Sequence, residues 1–257
     1  MRITVPWGYD EIVPLQKQHK VLLRGGGTPA FCRATNALAL SFAEFVVAAR
    51  DYPIVFAAAG GGDAGSVAYV PVMVLGLADR SNLFVDAAGD WDPACYLPAY
   101  VRRYPFCISK VYDAEGKPGS ERIVCIARTY LDPGGVALFD AGGNPGAQWQ
   151  GIERLLTEYE SDLDRTAEMC AALQRLDVFT PFSMEVTENG RKSTRLKDMF
   201  RVDEAKLAGL KPAAHKALVT KGFMGRIYAH LHSLENFSRL YRREQQRREP
   251  SRGSAKG

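Results

Sequence analysis

Charged and aromatic side chains are concentrated between residues 44 and 106, more densely than an ordinary core requires. Arg102 and Arg103 stand next to each other, close in sequence to Trp91 and Tyr100. The planar fork of an arginine guanidinium suits a carboxylate or a phosphate, and neighbouring aromatic rings can hold the apolar part of a ligand. The segment therefore predicts a concave pocket that binds a carboxylate.

The same residues also fit a structural role. Two adjacent arginines cannot share one face of a helix, so one is expected to pair internally while the other faces a groove. Arg102 or Arg103 would then pair with Asp51 or Asp86 within ordinary aromatic packing. We favour this structural role, because ion pairs that only stabilise a fold also bring charged groups together and shift their pKa values. Such a cluster is therefore not by itself the sign of a binding site.

Glu44, Arg50 and Asp51 form a second charged group close in sequence to the first. Carboxylates beside arginines have lowered pKa values and make poor general acids, so this group suggests scaffolding or clamping of a substrate. His19 is included as a residue that can meet the central segment in space, although a lone histidine is more often a surface or packing residue. No catalytic residue is assigned. The candidate ligand-binding residues are His19, Glu44, Arg50, Asp51, Asp86, Trp91, Tyr100, Arg102 and Arg103.

Several kinds of chemistry are not indicated. The five cysteines are scattered without a C-x-x-C pair, and His230 and His232 are two residues apart, whereas histidines that share a metal on a helix are spaced by three or four. The glycine runs at 25–27 and 60–65 lack the lysine of a phosphate loop. We therefore expect no metal, no disulfide and no cofactor.

The composition is that of a globular protein, with 46% hydrophobic and 24% charged residues among 257. No window approaches the roughly 18 uncharged apolar residues of a membrane span, and the N-terminus lacks a signal-peptide core, so we expect no membrane span and a cytoplasmic location. The net charge of +4 comes from residues 239–257, which carry seven basic and two acidic side chains. Nucleic acid is the least favoured partner, because this basic segment has almost no interleaved aromatics.

Short apolar runs joined by tight, turn-rich links dominate residues 1–141, which favours antiparallel strands. Pro98 is expected to open a short helix that Pro105 ends. The predicted strands are 52–58, 67–77, 82–86, 106–112, 122–128 and 136–140.

The pattern changes after residue 146, where apolar positions take helical spacing up to about residue 176. Alternating runs on either side of Asn189-Gly190 predict a hairpin. Three further helices are expected, at 203–210, 212–221 and 224–249, the last projecting its end beyond the sheet.

These elements predict an α+β fold with an antiparallel-rich sheet region over 1–141. A helix-rich region with one hairpin follows over 147–248, and 249–257 is expected to be a disordered basic tail. Because no linker separates the two regions, we expect a single domain, residues 1–257, with one shared core.

Six sequence blocks stand out along the chain: EFVVAARDYPIVF, GLADRSNLFVD, the region of Trp91, YLPAYVRRYPF, VDEAKL and YAHLHSLENFSRL. They occur in the order found in the bacterial SapC family, and over about residues 13–240 the chain resembles that family. One departure is the segment 60–65, which is longer and richer in glycine than this part of the family usually is.

The resemblance implies a context but no reaction. The family is named for a component associated with surface-layer protein export. The genes of other members look like chromosomal neighbours of genes for flavin-dependent halogenase-like enzymes, cupin-like proteins and TonB-dependent receptors. It supplies no catalytic residues to carry over. It favours a non-catalytic binding or accessory protein of surface-layer export, outer-membrane uptake or peptide and amino-acid tailoring, with a protein or peptide as the partner.

Two other functions stay open. The first is an enzyme acting on a peptide or amino-acid-like substrate, in which the pocket of Arg102 and Arg103 holds a small-molecule carboxylate. The second is a nucleic-acid-binding regulator that uses the basic C-terminal segment, and it ranks last.

Overall fold

The fold is described from a computed structural model covering residues 2–23, 25, 27–60, 67–112, 118–188 and 191–248. The glycine-rich loop after residue 60, the Asn189-Gly190 turn and the predicted tail at 249–257 lie outside these residues. The chain divides into two compact units, which are described separately. Unit 1 comprises Met1–Cys32 and Ala99–Ser161, and unit 2 comprises Arg33–Pro98 and Asp162–Gly257.

Helices and antiparallel sheets are both present, so the predicted α+β class is confirmed. The strands are β1 (Arg2–Ile3), β2 (Ile12–Pro14), β3 (Lys20–Val21), β4 (Ala37–Ala39), β5 (Ile54–Gly60), β6 (Val67–Val74), β7 (Phe106–Tyr112), β8 (Pro118–Ala127), β9 (Val136–Ala137), β10 (Phe179–Glu188) and β11 (Arg191–Val202). The α-helices are α1 (Phe45–Ala48), α2 (Ala99–Arg102), α3 (Ala147–Arg175), α4 (Glu204–Ala208), α5 (Pro212–Thr220), α6 (Phe223–Ser233) and α7 (Asn236–Arg248). Short 3-10 helices occur at Ala30–Ala34, Phe42–Glu44 and Arg128–Tyr130. A single domain with one shared core stays a prediction.

Unit 1 contains a four-stranded antiparallel sheet in the order β1-β7-β8-β2 and a small pair of β3 with β9. Strand β7 has the predicted bounds, and α2 lies between Pro98 and Pro105 as expected. The first part of α3 contributes Trp149 and Leu156 to the core of this unit, where they join Phe106 of β7.

Unit 2 contains a five-stranded antiparallel sheet in the order β10-β11-β5-β6-β4. Strands β5 and β6 pair along their whole length, from Ile54 opposite Met73 to Gly60 opposite Val67. Their outer neighbours pair over much shorter distances: β4 reaches only Val72–Val74 of β6, and β11 reaches only Phe56 and Ala57 of β5. Both outer sides of the β5–β6 ribbon are therefore only partly paired with neighbouring strands.

The hairpin predicted around Asn189-Gly190 is confirmed in its two arms, because β10 and β11 pair from Phe179 opposite Val202 to Glu188 opposite Arg191. The predicted helix after Val202 is also confirmed. It is α4, whose first turn is capped by Asp203 Oδ1, which accepts from the backbone N–H groups of Ala205 and Lys206 at 2.9 and 3.0 Å.

The prediction of one long helix over 224–249 is wrong, because the helix breaks at Leu234 and Glu235 into α6 and α7. Asn236 begins α7 and points its side-chain Nδ2 at the carbonyl oxygens of Ala49 and Tyr52, at 2.8 and 3.2 Å. These contacts fix the new direction of the chain at the start of the second helix.

The predicted strand at 82–86 is also wrong, because Leu83 and Phe84 form a turn and Val85 makes only an isolated bridge, to Trp91. The side chain of Asn82 accepts from the N–H of Phe84 at 2.8 Å. Arg247 of α7 donates to the carbonyl oxygens of Asn82 and Val85 at 2.7 and 2.6 Å. The end of the helix is therefore held against this segment as far as residue 247, and Glu244 beside it is buried.

Candidate binding groove

Three of the predicted ligand-binding residues of unit 2 lie in one hydrogen-bond network. The indole Nε1 of Trp91 donates to Tyr52 Oη at 3.1 Å, and Tyr52 Oη donates to the carbonyl oxygen of Tyr96. Tyr96 in turn donates its backbone N–H to Asp51 Oδ2 at 2.9 Å and its hydroxyl to Glu44 Oε1 at 3.0 Å. The structure thus joins Glu44, Asp51 and Trp91 through two tyrosines that the sequence had not singled out.

The other oxygen of Glu44 has a local role. Glu44 Oε2 accepts from the N–H and the hydroxyl of Ser41 at 3.0 and 2.8 Å, which forms a capping box at the start of the 3-10 helix Phe42–Glu44. Arg50 is exposed, and its carbonyl oxygen accepts from Arg239 Nη1 at 3.2 Å.

Asp86 is exposed at a turn, where its Oδ1 accepts from the N–H groups of Asp90 and Gly89 at 2.9 and 2.8 Å. These backbone hydrogen bonds, that of Asp90 foremost, lower the pKa of the Asp86 carboxyl group.

In unit 1, the two adjacent arginines have different surroundings. Arg103 is 6% exposed, and its guanidinium lies over the rings of Tyr100 and Tyr159, with its central carbon 4.4 and 4.7 Å from their centroids. Its Nη1 is 3.8 Å from Glu160 Oε1. Arg102 is exposed.

The remaining two candidates of unit 1 also contact the backbone. The hydroxyl of Tyr100 donates to the carbonyl oxygen of Trp7 at 2.6 Å. The Nδ1 atom of His19 accepts from the N–H of Gln16 at 3.1 Å, and the side chain is half-buried. The nine candidate residues are therefore divided between the two units, and their role in ligand binding stays a prediction.

A cavity of about 430 Å³ lies between the first half of β6 and the second half of α3, within unit 2. We call it the β6–α3 groove. Its lining residues are Ala39, Leu40, Val67, Ala68, Tyr69, Val70, Pro71, Leu163, Thr166, Ala167, Cys170, Ala171 and Gln174. None of the nine predicted ligand-binding residues is among them.

The groove has an apolar lining with few polar groups. The hydroxyl of Thr166 donates to the carbonyl oxygen of Asp162 at 2.6 Å, so its hydrogen is used within the helix. Burial raises the pKa of the Cys170 thiol to about 12, which keeps it protonated at neutral pH. Gln174 Nε2 donates to the carbonyl oxygen of Val67 at 2.8 Å, across the groove. No lining side chain carries a charge at neutral pH.

A second, more open cavity of about 930 Å³ lies beside the β10–β11 hairpin, also in unit 2. Its lining residues are Ala58, Pro181, Phe182, Ser183, Thr194, Lys197, Asp198, Met199 and Phe200. Lys197 and Asp198 are exposed. The β6–α3 groove is the better candidate for an apolar ligand, because its lining is uncharged and lies between a strand and a helix.

Leu163, Thr166 and Cys170 are among the apolar positions whose helical spacing predicts α3, but spacing does not show that they line a cavity. The available signal was the small size of the residues beside them, Ala167 and Ala171, which leave space that larger side chains would fill. Small residues alone do not distinguish a groove from close packing.

Within the described residues, no group of three or more histidine, cysteine, aspartate or glutamate side chains is arranged to hold a metal ion. The five cysteines are free thiols. No helix among these residues is long and apolar enough to span a membrane.

The fold and the groove define an α+β protein with a small apolar cavity. The SapC family model matches residues 16–240, nearly the whole chain, and the protein therefore belongs to the SapC family. Searches of curated proteins and of solved structures gave no match.

Proposed function

We propose that this SapC-family protein is a non-catalytic binding or accessory protein, and that a segment of a partner protein or a peptide binds in the β6–α3 groove. Its context is surface-layer export, outer-membrane uptake or peptide and amino-acid tailoring in a bacterium, and its location is the cytoplasm. The observation that carries the proposal is the groove itself, an apolar cavity of about 430 Å³.

Binding is favoured over chemistry by the lining of this groove. General acid–base catalysis needs a group whose pKa lies near the working pH, and nucleophilic catalysis needs an activated nucleophile. The Cys170 thiol has a pKa raised by burial to about 12, and the Thr166 hydroxyl is hydrogen-bonded to its own helix. These side chains suit contact with an apolar ligand.

The alternative is an enzyme that holds a substrate carboxylate with Arg102 and Arg103. One observation favours it: the buried Nε of Arg103 has no hydrogen-bond partner among the described residues. However, the guanidinium is covered by Tyr100 and Tyr159 and already lies near the carboxylate of Glu160. We therefore rank this alternative second.

The test is selection of short, random linear peptides displayed on phage against the full chain, followed by affinity measurement of the selected peptides. Ala167→Trp places an indole in the groove from an exposed helical position, and Ala217→Trp makes the same change at an exposed position of α5 that is not part of the groove lining. We expect Ala167→Trp to weaken peptide binding at least about tenfold, a change of about 1.4 kcal/mol, and Ala217→Trp to leave it unchanged.

Equal affinities for the two tryptophan variants, or no enriched peptide at all, would refute the proposal. Native mass spectrometry distinguishes the alternative. A small-molecule carboxylate that stays bound to the native protein and is lost on Arg102→Ala would favour the enzyme.

A further inference from the structure

Strand β6 has one side that faces the groove rather than β5. The N–H of Val74 donates to the carbonyl oxygen of Pro53, on the β5 side, at 2.9 Å. On the opposite side, the carbonyl oxygen of Pro71 accepts from the N–H of Leu40 at 3.0 Å. Main-chain groups alternate between the two sides of an antiparallel strand, and the β5–β6 pairing has no register shift. The odd-numbered residues 67–71 therefore direct their main-chain groups away from β5.

Val67, Tyr69 and Pro71 differ in the main-chain hydrogen bonds that they form on that side. Pro71 has no N–H, and Leu40 occupies its carbonyl oxygen. The carbonyl oxygen of Val67 accepts from Gln174. Tyr69 lies between them, and no described residue pairs with its N–H or its carbonyl oxygen on this side, because β4 ends before it. Within residues 67–71, Tyr69 is thus the residue whose donor and acceptor both remain open at the groove.

We infer that the groove binds its peptide as an added strand, through main-chain hydrogen bonds to Tyr69; this inference rests on the proposed function. Strand addition to an exposed sheet edge draws affinity from main-chain bonds and specificity from pockets for alternate side chains. The lining here is uncharged and rich in small residues, including Ala68, Ala167 and Ala171. The partner segment is therefore an extended peptide with an uncharged, apolar side chain at every second position.

Backbone N-methylation of a selected peptide tests the inference directly. Two versions are made, one methylated at the odd positions within the bound segment and the other at the even positions. In an added strand only one set of N–H groups faces β6, so one version should lose at least about tenfold in affinity while the other binds as the parent peptide does. The parent peptide must first be sensitive to Ala167→Trp.

The outcomes separate the two proposals. If a peptide is sensitive to Ala167→Trp but both methylated versions bind equally, the groove binds peptide without strand addition and only this inference fails. If no peptide is sensitive to Ala167→Trp, the proposed function fails as well.

Amide hydrogen exchange, followed by NMR, gives a second measurement. In the free chain, the amide of Tyr69 should exchange faster than that of Val70, which faces β5 opposite Ala57. Addition of the selected peptide should slow exchange at Tyr69 by about tenfold or more and leave Val70 unchanged. Protection of Tyr69 that rises with protein concentration without peptide, together with a dimer in light scattering, would overturn the inference in favour of a second copy of the chain.

Discussion

Among the described residues of unit 2, two of the places where pairing between neighbouring strands stops are filled by side chains to different extents. Where β5 and β11 separate at Ile54 and Val202, the His230 ring replaces the ladder bonds. Its Nε2 accepts from the N–H of Val202 at 3.1 Å, so its Nδ1 carries the proton and donates to the carbonyl oxygen of Ile54 at 2.7 Å. Ser233 Oγ accepts from the N–H of Ile54 at 2.9 Å.

Beside β6, only part of the gap is filled. Gln174 bonds the carbonyl oxygen of Val67, while the main-chain groups of Tyr69 have no partner on that side among the described residues. The two gaps also differ in burial, since His230 is fully buried and Gln174 is exposed.

The difference shows when an incomplete ladder is tolerated. A buried backbone group without a partner costs about 1–3 kcal/mol, so the gap between β5 and β11 must be closed from within the fold. The gap beside β6 opens onto the groove, where water or a ligand can supply the missing bonds. The residues that fill a gap therefore stabilise the fold, and an unfilled gap at a cavity is a candidate binding site.

The largest predicted effect is that of His230→Ala. The substitution leaves the carbonyl oxygen of Ile54 and the N–H of Val202 buried without partners, and it removes a ring that packs 4.9 Å from that of Phe56. We expect a loss of about 3–5 kcal/mol in the free energy of unfolding, measured with urea at neutral pH. His230→Gln, whose amide has one donor group and one acceptor, should lose about half as much. A loss below about 1 kcal/mol for His230→Ala would show that the ring does not replace the ladder.

The second prediction concerns acid. Burial lowers the pKa of His230 from 6.5 to about 4. The hydrogen bond to Ile54 opposes this shift, and the positive charge of Arg201 adds a smaller lowering effect. Well above pH 6.5 the residue is neutral in both folded and unfolded chains and gives no pH dependence. Between pH 6.5 and 4 the unfolded chain binds the proton more tightly, so stability falls with falling pH, by about 3 kcal/mol in total.

The measurement is urea unfolding across this pH range for the wild-type chain and for His230→Gln. Their difference isolates His230, because all other ionisable groups are the same in the two chains. Parallel curves for the two proteins would contradict a buried neutral imidazole at this position.

Much of the fold could be predicted from local patterns, because spacing reports which face of an element is buried. The hairpin arms of β10 and β11 and the apolar stripe of α3 are examples. The break between α6 and α7 could not, because it depends on Asn236 reaching the carbonyl oxygens of Ala49 and Tyr52, far away in sequence. The composition of the two units was equally inaccessible, since each unit combines two distant stretches of the chain.

The candidate site was harder to predict, for a chemical reason. Residues such as Trp91 and Glu44 attract attention because they can bind ligands, yet the same polar groups can satisfy one another, as they do through Tyr52 and Tyr96. The open main-chain groups of Tyr69 have no signature in the sequence, because every residue except proline carries them. Only the end of β4, a matter of tertiary structure, leaves them open.

The smallest predicted effect is that of Gln174→Ala, which tests the exposed gap beside β6. The substitution removes the hydrogen bond to the carbonyl oxygen of Val67, but Val67 is 45% exposed and water can replace the amide. We expect the free energy of unfolding to change by no more than about 0.5 kcal/mol, as for most surface substitutions. The matched control is Gln150→Ala, the same change at another exposed position of α3, which corrects for the altered helix propensity. If Gln174→Ala cost about 2 kcal/mol more than this control, the edge of β6 would behave as a buried gap like that at His230. The contrast between the two gaps would then fail, and with it the reason for expecting a peptide at Tyr69.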